Sequence, residues 1–269
     1  YIATVSFPLE RSKDRIMIKN IISALTAYAG SFGLITKLKL WKYFIIPIII
    51  SVVTATIIGF TAYGLSDNIG VFIAKIWIWD WGKETFTTIT SVLGAIIVLV
   101  IGLILYKHIV LAFSAPFMSP VSEKIETHIN GGLIHNHRKT SFQEQLVRGI
   151  RINVRNLTKE LLITLPILLL KFIPGVNIIS TILLFLVQAY YAGFGNMDYT
   201  LERHLNYKDS INFVKKNKGY SIGNGIVFML CLLIPVVGII IVLPLSVTAT
   251  TVKTVELLNK DNEIYYQNV

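Results

Sequence analysis

Twenty-two consecutive residues, Phe44 to Leu65 (FIIPIIISVVTATIIGFTAYGL), carry no charge. At 1.5 Å per helical residue such a run crosses a hydrocarbon core of ~30 Å, so the chain must fold with at least this segment in lipid. Pro47 falls in the first turn, where its missing N–H is tolerated. A second run, Ile89 to Tyr106, is also long enough. It is expected to continue as helix past Lys107 and His108 to Ser114, where Pro116 stops it. Composition agrees: 54% of the 269 residues are hydrophobic and 15% charged, against ~25% in soluble domains. Between the runs, Trp77, Trp79 and Trp81 with Lys75 and Lys83 read as an interfacial aromatic belt.

The second half is patterned differently. Leu161 to Ile173 is 13 residues before Pro174-Gly175, and Val176 to Phe194 is apolar again. Ile222 to Ile234 is 13 residues before Pro235, and Val236 to Val252 follows. Thirteen helical residues cover ~20 Å, too little to cross alone. The breaks resemble one another, Ile173-Pro174-Gly175-Val176 against Ile234-Pro235-Val236-Val237. They imply two helical hairpins that dip into the bilayer and return, with four steep spans as the alternative.

Lysine and arginine number 25 against 15 acidic residues, a net charge of +10. Residues 1–43 hold 7 basic residues, 107–159 hold 8 and 195–221 hold 5, whereas 66–88 hold 2. The positive-inside rule then turns only the 66–88 loop outward and leaves both termini in the cytoplasm. In such a chain the basic excess points to anionic phospholipid rather than nucleic acid. No basic, apolar and small-residue sequence typical of a signal peptide opens the chain, and none is expected. The one cysteine, Cys231, excludes an intramolecular disulfide.

Two amphipathic helices flank the spans. Ile18, Ile21, Ile22, Leu25, Tyr28 and Phe32 form a stripe expected to lie along the membrane surface. Ser141 and Glu144 form a capping box for a helix that carries an apolar stripe from Val147 to Leu161 beside a basic one, Arg148, Arg151, Arg155 and Lys159. That basic stripe has three readings: lipid phosphates, pairing with Glu123, Glu126, Asp198 or Glu202, and attraction of anions to a pore mouth. Lys171, near a hairpin tip, either snorkels or faces a wet cavity.

Nothing points to catalysis, so no enzyme, cofactor or metal is expected. Gly219-Tyr220-Ser221-Ile222-Gly223-Asn224-Gly225 lacks the Lys-Ser/Thr of a phosphate loop and reads as a plain loop. His128, His135 and His137 lack a cysteine or acidic residue to complete a metal set and read as a solvated loop. No nucleophile–base pair occurs at a familiar spacing.

Ala115-Pro116-Phe117 followed by Glu123 and Glu126 resembles the APF…ExxE signature of CysZ-type sulfate permeases, the bacterial branch of the etoposide-induced-protein superfamily. Phe172-Ile173-Pro174-Gly175 resembles that family's FIPG. Met197-Asp198-Tyr199-Thr200-Leu201-Glu202-Arg203-His204 resembles its MDYPLERH-like segment, with Thr200 where proline is usual. Lys215-Lys216 and Ile234-Pro235 follow in the same order, and the likeness covers roughly residues 30–257.

The resemblance implies an all-α integral membrane protein of the bacterial inner membrane, with two long transmembrane helices, two hemi-penetrating hairpins and amphipathic surface helices, assembled as a homo-oligomer. One domain is expected over 1–269: a basic segment 1–43, spans at 44–65 and 89–114, an amphipathic helix and first hairpin over 141–194, a second hairpin over 222–252, and a tail 253–269. The implied activity is sulfate entry without ATP hydrolysis. The family's proposed anion motif, Gly-Ile/Leu-Arg-Arg before the first span, is replaced by Lys39-Leu40-Trp41-Lys42. An oxyanion is then expected at Lys39, Trp41 and Lys42, with Lys37 beside them, and a pathway near Lys171 and Asn177. Glu123, Glu126, Asp198 and Arg203 are expected to form a structural polar network. Arg-to-Lys gives up the planar fork that holds an oxyanion through two parallel bonds. The rival from another class is a structural or scaffolding subunit that keeps the fold, does not transport and docks a membrane protein partner; a lipid-handling protein is a weaker third.

Overall fold

Helices that meet in lipid gain little from hiding leucine and are held by close backbone approach and polar contacts instead. In the computed structural model this shapes almost every interface. The structure describes residues 7–75, 83–132, 138, 140–173, 175–234 and 237–267, and the three belt tryptophans, His135, His137, Pro174 and Pro235 lie outside them. Among the described residues eight α-helices run in order: α1 (Phe7–Lys37), α2 (Ile45–Ala74), α3 (Lys83–Ile129), α4 (Phe142–Leu169), α5 (Asn177–His204), α6 (Tyr207–Lys216), α7 (Lys218–Leu232) and α8 (Val237–Gln267). No strand occurs among the described residues.

Among the described residues, five segments are long and apolar enough to cross a membrane: Arg15–Lys37, Trp41–Leu65, Glu84–Ile129, Asn177–His204 and Ile240–Lys260. α2 packs along α3, α4 bridges α3 and α5, and α7 is sandwiched by α1, α5 and α8. The α4–α5 and α7–α8 connections are short. A 3-10 turn over Leu170–Phe172 leads to Gly175 at φ 85°, a left-handed position natural to glycine. At the second, Leu233 and Ile234 close back on Leu230 and Cys231.

Two expectations are overturned. α3 does not stop at Pro116 but runs 47 residues through Pro116 and Pro120. Pro116 cannot bond the Ala112 carbonyl, and Gly149 of α4 lies against it; a Cβ on Gly149 would stand 2.8 Å from that oxygen. An interior proline is tolerated where a neighbouring helix meets the freed carbonyl. The 219–225 segment is not a loop but the first half of α7. Its glycines are contact points. A Cβ on Gly223 would lie 2.5 Å from the Ile21 carbonyl oxygen of α1, and one on Gly225 would lie 1.7 Å from that of Ala189 in α5.

The amphipathic helices pack through their polar or small faces. α1 buries Ala24, Ser31 and Ile35, while Ile18, Ile22 and Phe32 are exposed. The Tyr28 hydroxyl reaches Ser246 Oγ at 2.8 Å and accepts from the Asn224 amide at 2.9 Å, and Asn196 donates to Asn224 Oδ1 at 3.0 Å. α4 buries Gly149, Ile152, Asn153, Asn156 and Glu160, whereas Val147, Ile150, Val154 and Leu161 are exposed.

The α4 capping box is formed: Glu144 N–H donates to Ser141 Oγ at 3.3 Å, and Ser141 N–H to Glu144 Oε2 at 2.8 Å. The Ser141 backbone N–H holds the Glu144 carboxyl below the usual carboxylate range. A pKa lowered by folding stabilises above the unfolded value, and that contribution is lost as pH falls through the folded one. Ser141→Ala is expected to cost about 1 kcal/mol. Thermal unfolding in detergent reads this, and a midpoint equal to that of Ser141→Asp, which keeps the cap, would refute the box as a stabilising element.

Candidate functional site

Three polar constellations stand out. The first is the turn joining α1 to α2. α1 ends with Leu40 N–H bonded to the Ile35 carbonyl at 2.9 Å and Lys39 N–H to the Thr36 carbonyl at 3.1 Å, with Lys39 at φ 53°. This is a Schellman-type stop with lysine in the left-handed position that glycine usually fills. Leu40 and Phe44 are fully buried and pin both ends, while Lys37, Lys39, Trp41 and Lys42 are exposed. The turn therefore presents three ammonium groups on a fixed backbone. The Trp41 indole N–H donates to Thr36 Oγ1 at 3.3 Å, and its ring meets Phe32 edge-on at 5.5 Å. The Lys42 and Lys124 ammonium groups stand 5.3 and 5.2 Å from the centre of the same Tyr43 ring. Lys124 was invisible to sequence reasoning because it comes from α3. A groove beside the turn is lined by Leu38, Pro120, Glu123, Lys124, Thr127 and His128.

The second is a charge network joining α3, α4, α5 and α6. Arg203 donates to Glu126 Oε2 at 2.8 Å, to Ser122 Oγ at 2.6 Å, and to the Ser119 and Tyr199 carbonyls at 3.1 and 3.0 Å. His204 Nε2 lies 2.8 Å from the other Glu126 oxygen. Glu202 accepts from the Ser119 hydroxyl. Asp198 takes both its bonds from Arg148, at 2.8 and 3.0 Å, and Arg148 also donates to Ser210 at 2.6 Å. Burial would lower the Arg148 pKa, but the Asp198 carboxylate outweighs it and raises it. Of the expected network, Glu126, Asp198 and Arg203 are thus buried in pairs, while Glu123 is exposed at the groove.

The basic stripe divides accordingly. Arg148 is an interior ion-pair partner, its side chain 13% exposed. Arg151 stacks 4.1 Å over Tyr207, Arg155 lies 5.2 Å over Phe194 and donates to Asn156 Oδ1 at 2.7 Å, and Lys159 is exposed. Lys171 and Asn177 both stand exposed about the α4–α5 turn.

The third constellation escaped sequence reading. Lys107 Nζ lies 2.6 Å from Glu160 Oε1, and His108 Nε2 lies 3.0 Å from Glu160 Oε2, all three side chains at most 4% exposed. The Lys107 ammonium also reaches the Gln188 carbonyl at 3.4 Å.

Long apolar helices, glycine-to-backbone contacts and buried charge pairs define an all-helical, membrane-embedded protein. The chain belongs to the family described as Sulfate transporter CysZ/Etoposide-induced protein 2.4, whose sequence model matches residues 27–242. The match takes in the basic turn, the charge network and both short connections. It is 28% identical over 223 residues to the sulfate transporter CysZ of Pseudomonas aeruginosa (strain LESB58), covering 81% of this chain and 88% of that one. It is 29% identical over 161 residues to the sulfate transporter CysZ of Pseudomonas syringae pv. tomato, covering 58% and 62%.

Proposed function

We propose that this chain carries sulfate or a similar tetrahedral oxyanion across the bacterial inner membrane, passively or coupled to an ion, without ATP hydrolysis. The observation that carries the reading is the pinned α1–α2 turn, which crowds Lys37, Lys39 and Lys42 at the mouth of a span with Lys124 alongside. The turn stands where the resemblance expects the anion motif, and the relatives that the chain matches are named sulfate transporters. Lysines there attract and release an anion as point charges rather than as bidentate clamps. Trp41 serves as a brace, since its N–H is engaged with Thr36.

In this reading α4–α5 and α7–α8 are hemi-penetrating hairpins of a homo-oligomer with both termini cytoplasmic. Lys171 and Asn177 lie toward the path, and Arg151 and Lys159 meet anionic headgroups.

Radiolabelled sulfate uptake into proteoliposomes tests this, with Lys39→Gly/Lys42→Ala as the comparison. Glycine removes the ammonium while suiting the left-handed backbone. Saturable uptake is expected, with half-saturation raised about tenfold in the double variant, equivalent to about 1.4 kcal/mol of lost binding. A folded, oligomeric protein with no uptake above empty vesicles would replace the permease by the scaffold.

A further inference from the structure

An ion pair buried between helices is usually read as glue, but the Lys107–His108–Glu160 cluster has the construction of a binding site. One carboxylate is held through both oxygens by nitrogens on successive residues of α3, at 2.6 and 3.0 Å. Two cationic or N–H groups closing on the two oxygens of an anion is how a protein grips an oxyanion. The oxyanion in place is the protein's own side chain, delivered by α4.

The surroundings are over-supplied with polar groups. His108 Nδ1 and Asn156 Nδ2 are buried without a hydrogen-bond partner. Asn156 sits one turn before Glu160 on the buried face of α4, and its Oδ1 accepts from Arg155, which leaves the amide N–H groups as the unused end. Asn153 Oδ1, on the same face, is also without a partner. Buried polar atoms are rarely left unpaired, because each one gives up its hydrogen bonds to water without replacement. Of the first two atoms, one belongs to the His108 ring that contacts Glu160 through its other nitrogen, and the other lies one helical turn from Glu160 on the same face of α4. An ionisable cluster at the end of an apolar span is a functional site by default.

We propose that Lys107, His108 and Asn156 form an interior site for a tetrahedral oxyanion of the sulfate class, and that Glu160 is its tethered occupant, displaced when the permeant anion enters. The proposal rests on the permease reading and adds to it a second site, buried between helices where the α1–α2 turn is exposed. Glu160 keeps the site filled when no substrate is present. Lys107 supplies the fixed charge, anchored by its bond to the Gln188 carbonyl, and the Asn156 amide supplies a donor the carboxylate leaves unused.

The test is equilibrium binding of radiolabelled sulfate to the purified full-length protein in detergent, in the Lys39→Gly/Lys42→Ala background so that the surface turn contributes little. Glu160→Gln is expected to tighten sulfate binding at least tenfold, and Lys107→Met added to it is expected to cancel the gain. Glu160→Asp, which withdraws the carboxylate by one methylene, is expected to give a several-fold gain and serves if the glutamine variant does not fold. Glu256→Gln, on an exposed ion pair, controls for the loss of one negative charge. Unchanged affinity in both Glu160 variants, or an equal gain in Glu256→Gln, overturns the proposal. Wild-type flux separates the two readings: flux with no binding gain removes only the interior site, whereas a binding gain without flux keeps the site and removes the permease.

Discussion

Gly225→Ala is expected to abolish accumulation of folded protein, or to lower its thermal unfolding midpoint sharply. The added methyl would sit 1.7 Å from the Ala189 carbonyl oxygen and 2.4 Å from its carbon, both backbone atoms. No rotamer relieves such a clash, so α5 and α7 must separate along their contact. Gly193→Ala meets the Ser221 carbonyl oxygen at 1.8 Å from the other helix and should behave alike. Overpacking a core with one methylene typically costs about 1–3 kcal/mol, and a fixed backbone places these two at or beyond the upper end. Gly59→Ala is the internal contrast, because nothing lies within 4 Å of its added methyl. There the substitution should be neutral or stabilise by up to ~1 kcal/mol through helix propensity. Equal midpoints for Gly225→Ala and Gly59→Ala in detergent would sink this account of the α5–α7 contact.

Arg203→Ala is the second large effect. Arg203 neutralises Glu126 and satisfies two backbone carbonyls and a serine hydroxyl, with 4% of its side chain exposed. Removing it takes an arginine away from a buried carboxylate that His204 also contacts. Breaking one side of a buried pair costs about 3–5 kcal/mol, whereas replacing both sides by apolar groups of similar volume is often near neutral. The single variant should therefore lose most of its folded yield, and Arg203→Met/Glu126→Leu should recover a substantial part. The check is folded yield by size exclusion with the unfolding midpoint. A double variant as unstable as the single would mean that the carbonyl bonds, not the charge pair, carry the arginine's contribution.

What the sequence made legible follows the range of the forces involved. Long uncharged runs announce helices in lipid, and two proline-marked breaks announce the short α4–α5 and α7–α8 connections, because both signals are local. The pairing of Glu126 with Arg203 was readable only as membership of one network; the 2.8 Å contact and the roles of Ser119 and Ser122 depend on helices meeting across the bundle. Pro116 misled for the same reason, since α3 is packed there against Gly149 of the next helix, a contact that no local signal announces. Gly219, Gly223 and Gly225 carry the composition of a loop, and only their neighbours reveal them as points of backbone contact. Lys107 and Glu160 are 53 residues apart with no local signature joining them. Lys124 entered the basic turn through a shared aromatic ring, a contact no spacing rule anticipates.

The continuity of α3 has a thermodynamic consequence. Its 47 residues extend for about 70 Å at 1.5 Å per residue. A hydrocarbon core of ~30 Å, crossed at tilts of up to ~40°, takes in little more than half of that length. One unbroken rod therefore spans two solvents that reward opposite things. Where it stands in lipid, burying leucine gains almost nothing and glycine contacts hold it. Where it leaves the lipid, water restores the ordinary incentive to hide apolar surface. Heat, urea and detergent should then attack different ends of the same helix, and no single stability describes it.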